Sequence, residues 1–496
     1  MTATFLGIDI GTSGVTSALV ALDATVIALA TREHPTTYLQ PGHVEQDPAD
    51  WWAGVVSTVR ELGETAGFES LAGIAVSSQA PTLIALDSGG RVIRPALIWM
   101  DRRATLQAEK LEAAHSGDGY IAARGNRADA LYLASKIAWL RDEEPDTLTR
   151  TASFVQINGY IAAQLTGVLS LDEQHASLLA LRAPGASEWD ETALSEIGIT
   201  ASQLPNLYPA TAVIGTITAE AALVTGLPVG VPVVAGTVDS AAAAVETGVH
   251  QEGSAVEMAG TSSVLVMPSA MPAPHPAFIS MSSPDGVSWH HLAAVVASGA
   301  SLRWLRSLTA PSEDYPTFIA RAEQVVAGAE GVLFVPHMLG ERSPLWDTDR
   351  RGLFAGLTLG TGIGHLVRAV LEGTAYALRH NLSIAATLGV EPTELRSTGA
   401  PTKSDLWCQI KADITGIPVV RMVSPTGAAF GAAVIAAVGV GAVTTLEDFG
   451  AGTNRVDHRF EPAENPALRA TYDQGFASYL SAIDSVQTIL PRRGFS

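Results

Sequence analysis

The feature that most restricts how this chain can fold is a repeated one. Gly11-Thr12-Ser13-Gly14 separates the apolar run Thr4–Ile10 from Val15–Leu22, and Gly260-Thr261-Ser262-Ser263 separates Ser254–Met258 from Val264–Met267. Each reads as strand, small hydroxyl-bearing turn, strand. The second copy opens the second half of a 496-residue chain. A single core rarely grows past ~250–300 residues. Two related domains are therefore expected, residues 1–248 and 249–496, joined near 246–252 and closing around a cleft.

Strands and helices alternate, which predicts an α/β fold. Val26–Ala30 extends the first hairpin, and Asp47-Pro48 starts a helix, Asp as cap and Pro in the first turn. Its buried stripe is expected at Trp52, Val55, Val56, Val59 and Leu62. Leu71–Val76 is a strand ending in Ser77-Ser78-Gln79. Helices are expected near 105–115, 131–143 and 153–165, and a strand-turn-helix over Val231–Val245.

Fifty acidic against 30 basic residues give a formal charge of −20, the reverse of what phosphate-backbone binding requires, so no nucleic-acid partner is expected. Cys408 is the only cysteine, which excludes an intramolecular disulfide framework and a Cys-based zinc cluster. With no signal-peptide pattern at the N-terminus, a cytoplasmic location is expected. Met422–Leu446 carries no charge and is long enough to span a bilayer. It is mostly Ala, Gly and Val, so a helix buried in a globular core is expected and no membrane partner.

Three segments carry chemistry. In Asp9–Gly14 a carboxylate ends a buried strand and a small-residue turn follows. Such a turn lets backbone N–H groups approach phosphate oxygens, and Asp9 is suited to hold Mg²⁺ through water. The competing reading is an ordinary hairpin turn. Asp239 stands where Val233–Val238 gives way to an Ala-rich helix, either as a helix cap or as a general base aimed into the cleft. Gly399-Ala400-Pro401-Thr402-Lys403-Ser404 leads into an amphipathic helix and can admit an adenine or ribose. It is not a P-loop, because no Gly precedes the Lys, and Gly360-Thr361-Gly362 lacks the last Gly of a dinucleotide fingerprint.

Several strings resemble the FGGY carbohydrate kinases, over roughly residues 4–440. They are Gly352–Leu357 with His365-Leu366 and Ala369–Glu372, the segment Lys136–Glu143, Trp99–Arg103, and Gly340–Pro344. The resemblance implies two actin-like, RNase H-like ATPase domains flanking a catalytic cleft. It implies transfer of the γ-phosphoryl group of Mg-ATP to a sugar hydroxyl, ATP and Mg²⁺ being the expected cofactors. On that template Asp239 is the base and Asp9 the metal-side carboxylate. Thr12, Ser13, Gly260 and Thr261 line the phosphates, and Gly299, Arg303, Gly399, Ala400 and Ser404 fall in the nucleotide pocket. Gln79, Ala80, Pro81, Trp99, Asp101 and Arg102 surround the sugar together with Asp239. The chain departs from the pattern at Thr16, where relatives often place Lys or Arg, and at Ala400-Pro401, which replace glycines. Ala80-Pro81 stands where glycerol kinases have Arg-Glu and xylulokinases Met-His. A ketose is expected, D-xylulose first, giving xylulose 5-phosphate. Ribulose, erythritol, gluconate and a non-catalytic actin-like ATP-binding protein are the alternatives. The expected partners are a small-molecule sugar or polyol and a second copy in a homodimer.

Overall fold

The computed structural model describes residues 2–249, 252–423, 426–450 and 456–489. In the first half, β1 (Thr4–Ile10), β2 (Gly14–Ala21), β3 (Val26–Glu33), β4 (Leu71–Ser78), β5 (Val213–Thr216) and β6 (Pro232–Val238) form one sheet in the order β3-β2-β1-β4-β6-β5. In the second half, β7 (Ser254–Ala259), β8 (Ser263–Ser269), β9 (Ile279–Ser282), β10 (Trp289–Val295), β11 (Glu394–Thr398), β12 (Val419–Met422) and β13 (Val456–Phe460) form another. Its order is β9-β10-β8-β7-β11-β12-β13.

The sheets share a plan. Each has an antiparallel hairpin at its centre, β1/β2 or β7/β8, whose first strand runs parallel to a later one, β4 or β11, and that one to β6 or β12. The recurrence of the two turns is thus a recurrence of topology. Of the junction expected near 246–252, His250 and Gln251 lie outside the described residues.

The helices that matter here are α1 (Pro48–Ala66), α2 (Thr105–Ala113), α3 (Leu133–Glu143), α4 (Ile157–Thr166), α5 (Glu173–Ser177), α6 (Asp239–Glu246), α7 (Gly299–Thr309), α8 (Asp405–Thr415) and α9 (Ala428–Gly439). Asp47 caps α1 by accepting the Ala49 N–H. The buried stripe of α1 is Trp51, Val55, Thr58, Val59 and Leu62, while Trp52 and Val56 are only half-buried. This corrects the expected phase. Trp51 enters because its indole N–H finds an acceptor inside, Gln46 Oε1 at 3.1 Å, as a buried indole requires. The expected helix over 153–165 begins as a strand, Ser153–Val155, paired with Ile84–Leu86, and turns helical only at Ile157.

The two halves interlock through α6 and α9. From the second half, α9 lies on the first sheet, where Ala429, Phe430 and Ala433 join Phe5, Ala75 and Val234 in one apolar cluster. From the first half, α6 sends Ala244 into a cluster with Val256 and Val266 of the second sheet. The approach is close enough to require glycine. A Cβ on Gly431 would stand 1.9 Å from the carbonyl oxygen of Ala242. Of the uncharged stretch Met422–Leu446, Ser424 and Pro425 lie outside the described residues, and α9 is buried as expected. Among the described residues no helix is long and apolar enough to cross a membrane.

Candidate active site

β1, β4 and β6 are neighbours, run parallel and end level, with Asp9 beside Ser77 and Val238 beside Ser78. Open α/β sheets bind ligands off the carboxyl ends of their strands. Strands lie ~4.8 Å apart, so Asp9 and Asp239 leave the sheet roughly 10 Å apart at the backbone. The Ser77 hydroxyl donates to Asp9 Oδ1 at 2.8 Å. Asp9 Oδ2 lies 3.8 Å from where a Cβ on Gly11 would be, so it faces the first turn. Burial, then the charge of Asp239, push the Asp9 carboxyl up to about 7, against the Ser77 hydrogen bond. Asp239 is the first residue of α6 and does not cap it; among the described residues its Oδ1 takes the Ser240 N–H alone, at 2.6 Å. Burial raises it to about 6, opposed by that hydrogen bond and by His175.

The first turn is tied to the neighbouring loops by a closed set of bonds. The Thr12 hydroxyl donates to Gln79 Oε1 and accepts from the Trp99 indole, both at 3.0 Å. Gln79 donates to Gln46 Oε1 at 2.8 Å, and Gln46 donates to the Thr12 carbonyl at 2.8 Å. The Thr12 side chain and carbonyl are therefore occupied, which leaves the Thr12 and Ser13 N–H groups and the exposed Ser13 side chain to meet a ligand. Ala80 is half-buried and Pro81 buried beside this network. Asp101 is fully buried, and its oxygens accept from Val44 N and from the Arg103 backbone and guanidinium. It braces the loop. Arg102 makes a two-pronged pair with Asp129. Beneath the loops, Lys136 is fully buried and donates to the carbonyls of Ile98 and Leu131 at 2.8 and 2.9 Å. Its burial lowers the ammonium to about 7.

The second sheet presents a matching edge. Gly260 and Thr261 are exposed in the turn, and the N–H groups of Gly299 and Ala300 donate to their carbonyls at 3.1 and 3.0 Å. Gly399 has φ +95°, and a Cβ there would stand 1.9 Å from the Ala259 carbonyl oxygen. Three segments thus converge: the Gly260 turn, the start of α7 and the Gly399-Ala400 loop. Ala400 is exposed there, and Arg303 on α7 is exposed with no ion pair or hydrogen bond among the described residues. Ser404 is the cap of α8, its hydroxyl accepting the Trp407 N–H at 3.2 Å. Gly399→Ala is expected to cost about 1–3 kcal/mol in backbone strain alone. A Tm lowered by roughly 2–10 °C in calorimetry is the outcome to look for; an unchanged Tm would show that the loop can move aside.

The structure adds groups the motifs did not reveal. Gln46 is the centre of the Thr12 network. Glu246, at the far end of α6, also raises Asp9. Arg342 and Arg127 both lie over the Trp346 ring, at 5.5 and 5.0 Å, and Arg342 also lies 6.0 Å from the Trp99 ring. Neither guanidinium is ion-paired among the described residues. Gly340–Pro344 had been legible as a string, but not that its Arg reaches Trp99 of the other half.

Two sheets of one topology, each with a small hydroxyl-rich turn at the carboxyl edge of its parallel strands, define an actin-like ATPase fold. Models of the FGGY family of carbohydrate kinases match over residues 4–246 for the N-terminal domain and 255–440 for the C-terminal domain. The chain belongs to this family and is a sugar kinase. It is similar to the xylulose kinase of Bacillus subtilis (29% identical, covering 89% of each chain). It is also similar to the glycerol kinase of Aromatoleum aromaticum (32% identical, covering 92% of this chain and 94% of that one). The crystal structure of xylulose kinase from Rhodospirillum rubrum superposes with a TM-score of 0.92 at 30% identity, covering 98% of this chain and 99% of that one.

Proposed function

We propose that this kinase transfers the γ-phosphoryl group of ATP to a hydroxyl of a ketose, D-xylulose first, with Asp239 as general base. The observation that carries the reading is the placement of Asp239, at the end of a rigid parallel strand, within electrostatic reach of Asp9 and beside the Thr12–Gln79–Trp99 network. A base must reach the hydroxyl it deprotonates. The exposed backbone of the two turns is suited to hold phosphates, and Gln79 and Trp99 to orient the sugar. The choice of xylulose draws on the relatives named above.

Mg²⁺ fits the residues present. Among the described residues no group of three or more His, Cys, Asp or Glu could hold a metal. Asp9, with an oxygen facing the turn and its charge raised in cost by Asp239 and Glu246, suits an ion that takes one or two carboxylates plus phosphate oxygens and water. The ion would neutralise charge on the transferring phosphoryl group. A second acceptor class, a sugar acid, is favoured by Arg127 and Arg342, whose guanidiniums could meet a carboxylate.

An ADP-release assay over xylulose, ribulose, erythritol, glycerol and gluconate tests the choice; kcat/KM highest for gluconate would replace the ketose reading. The acid limb is a separate check. Asp239 works ionised, so kcat/KM for the sugar should fall as pH drops through about 6, roughly tenfold per unit below it. A profile flat down to pH 4.5 would remove Asp239 from that role.

A further inference from the structure

Behind the strand ends lies a buried polar chain that the reaction as described does not use. Asp172 ends a short strand, Ser170–Asp172, and caps α5 by accepting the His175 N–H at 3.0 Å. Its other oxygen takes His175 Nδ1 at 2.5 Å and the Asn158 amide at 2.7 Å. His175 Nε2 then meets the Ser78 hydroxyl at 3.2 Å. Asp172, His175 and Ser78 are all fully buried. Ser78 is the sheet partner of Val238, the residue before Asp239. The same layer also grips the neighbouring β6 at two points. Asn158 donates to the Ala235 carbonyl at 3.1 Å, and the Thr237 hydroxyl donates to Gln174 at 3.3 Å.

We infer that His175 is a positioning residue for phosphoryl transfer: held by Asp172 and bonded to Ser78 at the end of β4, it braces from behind the strand end that lies beside Val238 and so fixes where Asp239 leaves β6. The carboxylate of Asp172 orients the ring with Nδ1–H inward, which leaves Nε2 for Ser78. Nothing here needs His175 to touch a substrate. Its effect is on where the Asp239 carboxylate points and on how readily it stays ionised, since His175 opposes the upward push of burial on that group. The ionisable groups around it are Asp172 and Glu173 beside it, Arg182 beyond α5, and Tyr208 on the strand Asn206–Tyr208. Asp239 and Asp9 lie at the facing strand ends, and β9, packed on α5, contributes none.

The inference rests on Asp239 being the base, and one set of variants separates the two claims. His175→Gln should lower kcat by on the order of 10–10²-fold. It should leave KM for ATP and sugar within about threefold and move the acid limb of kcat/KM upward by about 0.5–1 pH unit. Ser78→Ala, which removes one hydroxyl from the chain, should move the limb the same way by less, and the double variant should add little to His175→Gln. Should His175→Gln fail to fold, Ser78→Ala carries the test by itself. A lowered Tm with kcat and the pH profile unchanged in both single variants would overturn the inference and leave an ordinary buried hydrogen-bond chain. Asp239→Asn retaining turnover would overturn the underlying assignment instead.

Discussion

Asp239→Asn should bind ATP and sugar nearly as the parent does and turn over 10²–10⁴-fold more slowly, the usual span for loss of a general base. Asparagine keeps the shape of the side chain and can still accept the Ser240 N–H, so the start of α6 is undisturbed. What it loses is the ability to take the sugar's proton as the phosphoryl group arrives. Single-turnover kinetics with radiolabelled ATP, beside binding isotherms for each ligand, separate the two effects. If the variant keeps more than about a tenth of kcat, Asp239 is not the base. If it loses kcat and affinity together, Asp239 holds the sugar in the ground state as well.

Asp9→Asn should be inactive and yet more stable. Loss of the carboxylate removes the group suited to order the metal and phosphates, and phosphoryl transfer depends mainly on such positioning and electrostatics. A fall in kcat on the order of 10²-fold or more is expected for every sugar tested. The stability effect has a definite sign. The folded carboxyl titrates at about 7 against 3.8 unfolded, so between those values the native state binds a proton that the unfolded state lacks. Stability due to this group therefore falls as pH rises from about 4 through 7. The Asn variant escapes that loss. Its Tm without ligands should exceed the parent's at pH 8, with the gap closing toward pH 4. Equal Tm values at both pH values would mean that Asp9 is not held in an unfavourable electrostatic site.

The parts of this molecule that could be read from sequence are those whose signals are local. Gly-Thr-Ser between two apolar runs marked both hairpins, Asp47-Pro48 marked the start of α1, and an Asp at the end of an apolar strand marked Asp239. Where two local readings were equally good, the choice needed a distant partner. Trp51 and Trp52 differ by one helical position, and the bond to Gln46 decides which goes inside. Gln46 itself ends a four-residue strand, His43–Gln46, that carries no motif, and its importance comes from Thr12 and Gln79. Asp172 and His175 have the three-residue spacing that places side chains together on a helix. Ser78, which gives them a purpose, comes nearly a hundred residues earlier in the chain. The all-apolar α9 announces burial but, being apolar all round, says nothing of which sheet it covers.

The late position of α9 in the chain bears on how the protein is made. The strands of the first sheet leave the ribosome early, but the helix that covers Phe5, Ala75 and Val234 begins roughly 190 residues after β6. At ~5–20 residues per second, that face waits about 10–40 s for its cover. The nascent first half is then a natural client for holding chaperones. A ribosome stalled near residue 300 should display a protease-sensitive first half, whereas one stalled past the end of α9, with enough chain to clear the exit tunnel, should not.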